Sequence, residues 1–166
     1  AMAILPNAFG NATLYADSPP AGLISQWSAE GDASDSVDGN DGTLWNGVTF
    51  TAGRFGQAFS FDGNYACVEI PSNPSVMPAA LTVEAWVKPE KTGVRQSIVS
   101  KWGYYKEASY SLELDEYYDG NGFFFYLHDG ITTQYIAGGP NVTPGTWYHV
   151  AGTYDGSEAR LYVNHI

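Results

Sequence analysis

Apolar and polar residues alternate along the chain in short segments that glycine, proline and aspartate interrupt. The clearest segment is LTVEAWVKP, in which Leu81, Val83, Ala85 and Val87 share one face of an extended strand. Similar segments follow it, and turn residues recur roughly every 8–12 residues. The pattern predicts an all-β fold of the antiparallel sandwich type, and it gives little support to helices.

Turn signals place the strands that precede this segment. We expect GLISQW, residues 22–27, to be the first clear strand. Asn46-Gly47 predicts a tight turn between Thr43–Trp45 and residues 48–50. Residues 1–21 are interpreted as a linker with an edge strand at ATLY, and residues 22–166 as one sandwich domain.

Charge narrows the range of partners. The chain of 166 residues has 18 acidic and 7 basic residues, for a net charge of −11. Such a surface repels the phosphates of nucleic acids and anionic lipids, so we expect no nucleic-acid partner. The sequence has no apolar run long enough to span a bilayer, so we expect no membrane insertion. Metal cations and neutral sugars are compatible with this charge.

The single cysteine carries little chemistry. Cys67 lies in the segment YACVEI, where we expect a small buried apolar residue. With one cysteine no internal disulfide forms, which is typical of cytosolic proteins and of extracellular bacterial proteins that do without disulfides.

An ordered set of segments resembles a known family. The stretch from GLISQW through FSFDG, then VEIP, LTVEAWVKP, IVSKW and WYHVAGTYDGSEARLYVN, is similar to the LamG-like jelly-roll domains of the concanavalin A-like lectin/glucanase superfamily. The resemblance implies an antiparallel jelly-roll β-sandwich that acts as a binding module in a larger secreted bacterial protein. The family pattern continues beyond LYVN with strands that are missing here. We therefore expect uncapped strand edges and self-association through them.

The segment SLELDEYYD contains the carboxylates that a catalytic site of this domain would use. Glu113 and Asp115 share one face of a strand with Tyr117, while Leu112 and Leu114 take the other face. The resemblance implies that glucanases of the superfamily carry a second glutamate farther along the acidic face, where this chain has tyrosine. We therefore predict no catalytic residue, with the two acids facing water. A glycoside hydrolase of the same superfamily remains the alternative.

The loop GDASDSVDGNDG suggests a cation site. Calcium requires six to eight oxygen ligands, and we predict a structural Ca²⁺ held by Asp35 with Asp62 and Asn64. The resemblance also implies calcium at the rim of the sandwich. The spacing of the acids excludes an EF-hand. The competing interpretation is that aspartate and asparagine serve here only as turn formers.

Sugar recognition is the function that we predict. Aromatic rings stack on the apolar faces of sugars, while polar side chains bind the hydroxyl groups. Two segments, KWGYYKE and DEYYDGNG, supply both residue types, and we expect Trp86 and Trp147 to belong to the core instead. The module would bind a glycan or a cell-surface protein at the outside of the cell; a purely structural or adhesive module is the further alternative. The predicted ligand-binding residues are Trp102, Tyr104, Tyr105, Tyr117, Tyr118, Asp119 and Asn121.

Overall fold

The protein is all-β in the part of the chain that its computed structural model describes, residues 2–4, 21–101, 109–115, 122–128, 131–139 and 141–164. Strands and one short 3₁₀ helix make up the regular structure of these residues. The chain divides into two compact units, Ala1–Val76 and Met77–Ile166. This division does not test the expectation of a single domain over residues 22–166, which stays a prediction. The edge strand expected at ATLY lies outside the described residues.

The first unit contains two small antiparallel sheets. In one of them β2 pairs with β5, and in the other β3 pairs with β4. The predicted Asn-Gly turn follows β2, with φ of 55° at Asn46 and 82° at Gly47, values that these two residue types tolerate best. The strands on either side of the turn nevertheless pair with later strands. The elements are β1 (Met2–Ile4), β2 (Thr43–Trp45), β3 (Thr49–Ala52), β4 (Gln57–Ser60), β5 (Cys67–Glu69) and the 3₁₀ helix Pro74–Val76.

The strand expected at residues 22–27 is wrong. This segment makes only single bridges, among them one between Trp27 and Asp35. The amide of Gln26 donates to the Asp35 carboxylate at 2.8 Å, so it is not available to a ladder. Ala29 then turns the chain with a φ of 58°. Trp27 is buried, and its indole Nε1 donates to the carbonyl oxygen of Asn40 at 2.9 Å.

The second unit contains the longer strands. β10, β9, β8 and β7 are hydrogen-bonded neighbours in that order, and every pair is antiparallel. In a second sheet β11 lies between β6 and β12. The strands are β6 (Leu81–Val87), β7 (Gln96–Lys101), β8 (Ser109–Asp115), β9 (Gly122–His128), β10 (Thr133–Gly138), β11 (Tyr148–Tyr154) and β12 (Ala159–Val163).

The two sheets of the second unit pack face to face, as a sandwich requires. Gly152 of β11 lies under the ring of Phe125, and a Cβ atom at this position would be only 2.4 Å from that ring. Leu112, Leu114 and Phe123 belong to the same buried layer, each at most 2% exposed. The alternation predicted for β6 and for β8 is therefore confirmed on the side that faces the core.

Three predicted core residues are less buried than expected. Cys67 is exposed, because β5 pairs only with the short strand β2, whose residues are all exposed. Trp86 is half-buried against the ring of His149, with 5.3 Å between the ring centres. Trp147 is also half-buried and lies 5.7 Å from the ammonium group of Lys88. Trp86 lies on the face of β6 that points away from the core, as the alternation of that strand requires.

Candidate functional site

The seven predicted ligand-binding residues lie outside the described residues. Their two segments adjoin β8 at its two ends, residues 102–108 before Ser109 and residues 116–121 after Asp115. Six residue steps along a strand cover about 20 Å. The assignment of these residues to a ligand-binding site stays a prediction.

The described structure offers a polar and aromatic surface on the other face of the four-stranded sheet. Side chains alternate across a sheet, so the residues between the core-facing positions point to this second face. In β8 and β9 the opposed pairs are Glu113 with Phe124 and Ser111 with Tyr126. Tyr135 of β10 lies opposite Tyr126 on the next strand. We call Arg95, Glu113, Asp115, Tyr126 and Tyr135 the tyrosine–arginine face.

Two buried carboxylates lie at the centre of this face. Glu113 is 2% exposed and Asp115 is 5% exposed, so the expectation that both acids face water is wrong. Ser111 donates its hydroxyl to Oε1 of Glu113, and Nε of Arg95 donates to Oε2 at 2.5 Å. Tyr126 donates its hydroxyl to Oδ2 of Asp115 at 3.1 Å. Buried charges of this kind are tolerated because they are paired and hydrogen-bonded.

Arg95 links the buried acids to solvent. Its hydrogen bond with Glu113 raises the pKa of the guanidinium, against the opposing effect of burial, so the group is always charged. Nε also lies 3.7 Å from Oδ2 of Asp115, yet the side chain is 59% exposed. Among the described residues, no hydrogen-bond partner is found for the terminal nitrogens Nη1 and Nη2. The four N–H donors of these two nitrogens are therefore unpaired within the part of the chain that the structure describes.

Aromatic rings continue the face away from the acids. Phe124 and Tyr126 are stacked, with 5.8 Å between their centres and 15° between their planes. Tyr135 follows, 5.9 Å from Tyr126, and is 45% exposed. Burial, reinforced by the charge of Asp115, raises the pKa of Tyr126 to about 12, so its hydroxyl remains a donor at neutral pH. The guanidinium of Arg95 lies 5.5 Å from the Tyr126 ring centre, within range of a cation–π interaction.

The acidic loop of the first unit uses its carboxylate differently. Asp35 accepts hydrogen bonds from four backbone amides, those of Gln26 and Val37 at Oδ1 and those of Asp38 and Asn40 at Oδ2. Burial raises the pKa of Asp35, but hydrogen bonds from three of these amides and from the Ser25 side chain outweigh it and lower the pKa overall. A carboxylate has about four lone-pair positions, and here all of them are occupied. Asp35 therefore has little capacity left for a metal ion.

The other two predicted calcium ligands are neighbours in a turn. Oδ1 of Asp62 accepts the amide of Asn64 at 2.7 Å, as in an Asx turn. Within the described residues no hydrogen bond or ion pair joins this turn to Asp35, and no group of three or more His, Cys, Asp or Glu side chains is placed to hold a metal. The structure thus favours the turn-forming role of these acids, and the Ca²⁺ site stays a prediction.

Sequence reasoning missed three of the five members of the tyrosine–arginine face, namely Arg95, Tyr126 and Tyr135. The signal for Tyr126 and Tyr135 was the alternation of FFFYLH and TQYIAG against the acids of β8, since antiparallel neighbours place opposed residues on one face. Arg95 had no such signal, because it precedes β7 in a turn segment whose geometry no pattern fixes.

One solved structure shares the fold. Domain 4 of AbnA, a GH43 extracellular arabinanase from Geobacillus stearothermophilus, in complex with arabinotriose, matches with a TM-score of 0.61 and 21% sequence identity. The match covers 80% of this chain and 66% of that one, so the chain spans just under two thirds of its neighbour. At this identity the likeness shows the fold alone. No curated protein matches the sequence.

A family model settles the classification. The model described as the concanavalin A-like lectin/glucanases superfamily matches residues 62–165, which is more than half of the chain. No helix in the described ranges is long and apolar enough to cross a membrane. The pairs that strands β2 to β12 form with one another are all antiparallel, as the resemblance implied. The chain therefore belongs to the concanavalin A-like lectin/glucanases superfamily.

Proposed function

We propose that this protein is a noncatalytic carbohydrate-binding module and that the tyrosine–arginine face is its binding surface. The observation that carries the proposal is a row of three side chains: the half-exposed ring of Tyr135 contacts Tyr126, and the anchored guanidinium of Arg95 lies over the Tyr126 ring. A sugar ring stacks through its C–H face on an aromatic side chain, and its hydroxyl groups require donors and acceptors next to that ring. The aromatic rings of this face stand on strands, where positions are rigid, and Arg95 in the segment before β7 is held by its hydrogen bond to Glu113 of β8.

The comparisons suggest which sugars to test first. The superfamily takes its name from lectins and glucanases, and the neighbouring arabinanase domain was solved with arabinotriose. Arabino-oligosaccharides and β-glucan oligosaccharides are therefore the first ligands. That arabinanase is extracellular, which supports a role for this module as part of a larger extracellular protein. A cell-surface protein as partner, and self-association through uncapped edges, remain proposals of the same kind.

The geometry favours binding over hydrolysis. Both oxygens of Glu113 are engaged, one by Ser111 and the other by Arg95. A retaining glycosidase needs one carboxylate open to attack the sugar and a second to protonate the leaving group. Asp115 is likewise engaged by Tyr126. Release of reducing sugar from laminarin, abolished by Glu113→Gln, would establish the hydrolase instead.

A matched pair of tyrosines tests the proposed surface. Tyr135 is 45% exposed on β10, and Tyr162 is 38% exposed on β12 of the other sheet. Isothermal titration with arabino- and laminari-oligosaccharides should show that Tyr135→Ala weakens binding by about 1 kcal/mol or more, roughly fivefold. Tyr162→Ala should bind like the wild type. Equal losses in both variants would contradict the location of the site.

A purely structural or adhesive module would give a different result in the same titrations. A module without a small ligand would show no heat of binding and no hits among neutral and charged glycans. Such a result would remove the proposed function and leave the fold assignment unchanged.

A further inference from the structure

The side chain of Arg95 is held in place by buried residues of β8. Its Nε donates to Glu113, which is 2% exposed and is held on its other oxygen by Ser111. The guanidinium is planar, so fixing Nε also fixes the directions in which Nη1 and Nη2 donate. These terminal nitrogens have no hydrogen-bond partner among the described residues, and the side chain is 59% exposed. Arg95 therefore presents a preoriented pair of donors beside the Tyr126 ring.

The two carboxylates that pair with Arg95 carry more negative charge than its guanidinium carries positive charge. Glu113 and Asp115 contribute −2 and Arg95 contributes +1, so the cluster has a net charge of −1. No lysine or arginine occupies the second-face positions of the described strand residues, since Lys101 lies opposite the core-facing Tyr110. The whole chain has a net charge of −11. A ligand that carries carboxylate or sulfate groups would therefore be repelled, whereas a neutral one would not.

We propose, on the basis of the proposed function, that this surface selects neutral glycans and that Arg95 is the residue that orients them. The sugar ring lies against Tyr135 and Tyr126, and the terminal nitrogens of Arg95 donate to adjacent hydroxyl oxygens. Arg95 contributes a directional pair of hydrogen bonds, and its charge stays paired with Glu113. Glycans built from uronic acids are excluded by the net negative charge of the cluster.

The ligand test compares sugars that differ only in charge. Isothermal titration measures neutral arabino- and laminari-oligosaccharides, then trigalacturonate and its methyl ester, in which the carboxylates are neutralised. The inference predicts binding of at least one neutral oligosaccharide and no binding of trigalacturonate. If trigalacturonate binds more tightly than its methyl ester, the neutral selectivity is wrong while carbohydrate binding stands. If no sugar of either kind binds, the proposed function itself is wrong.

The residue test uses two arginines. Arg95→Lys keeps the charge but loses the planar pair of donors, and it should weaken neutral-sugar binding about tenfold. The control is Arg160→Lys, because Arg160 is also half-exposed and paired with a glutamate, at β12. That variant should bind like the wild type. Unchanged binding in a folded Arg95→Lys protein, checked by its melting temperature, would overturn the role of Arg95.

Salt provides a second measurement on the unmodified protein. Hydrogen bonds to neutral hydroxyls should leave the affinity nearly constant as ionic strength rises, because no net charge is neutralised on binding. A steep fall of affinity with salt would show that the charge of the ligand is recognised, and it would overturn the inference.

Discussion

The acidic loop of the first unit and the acidic strand of the second have similar residues but use them in opposite ways. Asp35 accepts hydrogen bonds from four backbone amides, so both of its carboxylate oxygens stabilise the conformation of its own loop. Glu113 accepts only side chains, those of Ser111 and Arg95, and the second of these extends into solvent. The donors of a buried carboxylate thus distinguish a loop support from the base of a surface site.

The two kinds of hydrogen-bond donor also imply different roles, one in stabilising a loop and one in binding a ligand. A carboxylate bound by main-chain amides cannot be exposed without unfolding the loop. A carboxylate bound by an exposed arginine holds a group that a ligand can reach. Mutations of acidic residues that look alike in sequence are therefore expected to have different effects in the two units.

The largest expected effect is on stability at Asp35. Asp35→Asn replaces one oxygen with an NH₂ group that faces two backbone donors, so these amides lose their acceptor. We expect a loss of about 3 kcal/mol in the free energy of unfolding, measured in urea. The control is Asp38→Asn, at an exposed side chain of the same loop, which should change stability by less than about 0.5 kcal/mol. Equal effects would show that Asp35 is not the support of the loop.

A smaller effect is expected at Glu113. Glu113→Gln removes the charge that anchors Arg95, but the arginine is exposed enough to be solvated, so we expect a loss of about 1–2 kcal/mol in stability. Neutral-sugar binding should fall in parallel, because the guanidinium is no longer fixed. A variant that loses stability and keeps full affinity would separate Glu113 from the binding surface.

The smallest effect is expected in acid. The lowered pKa of Asp35 means that the folded chain favours the ionised form more than the unfolded chain does. The resulting stabilisation is complete above the unfolded-state pKa of about 3.9 and is lost as the pH falls below it. The stability difference between wild type and Asp35→Asn should therefore shrink between about pH 5 and about pH 3. A difference that stays constant over this range would contradict the assigned role.

Much of the strand arrangement in the second unit could be predicted from sequence. Alternation in LTVEAWV and SLELD identifies β6 and β8 together with their buried faces, because period-two burial is a local property. The segment at residues 22–27 could not be assigned in this way. Its amide at Gln26 bonds to Asp35, nine positions away, and local propensity cannot anticipate such a contact.

The candidate site was less predictable than the strands. The carboxylate pair was visible at Glu113 and Asp115, yet its burial depends on partners that come from other strands and turns. Arg95 is 18 positions from Glu113, and only the fold brings the two together. The seven ligand-binding residues predicted between Trp102 and Asn121 stay a prediction.

Nuclear magnetic resonance tests the central claim most directly. Titration of a ¹⁵N-labelled protein with a neutral oligosaccharide should shift the Nε–Hε signal of Arg95 and the backbone amides of Tyr126 and Tyr135. The amides of Val37 and Asn40, which bond to Asp35, should stay unchanged. Shifts at those amides with none at Arg95, or no shifts at all, would contradict the assignment of glycan binding to the tyrosine–arginine face.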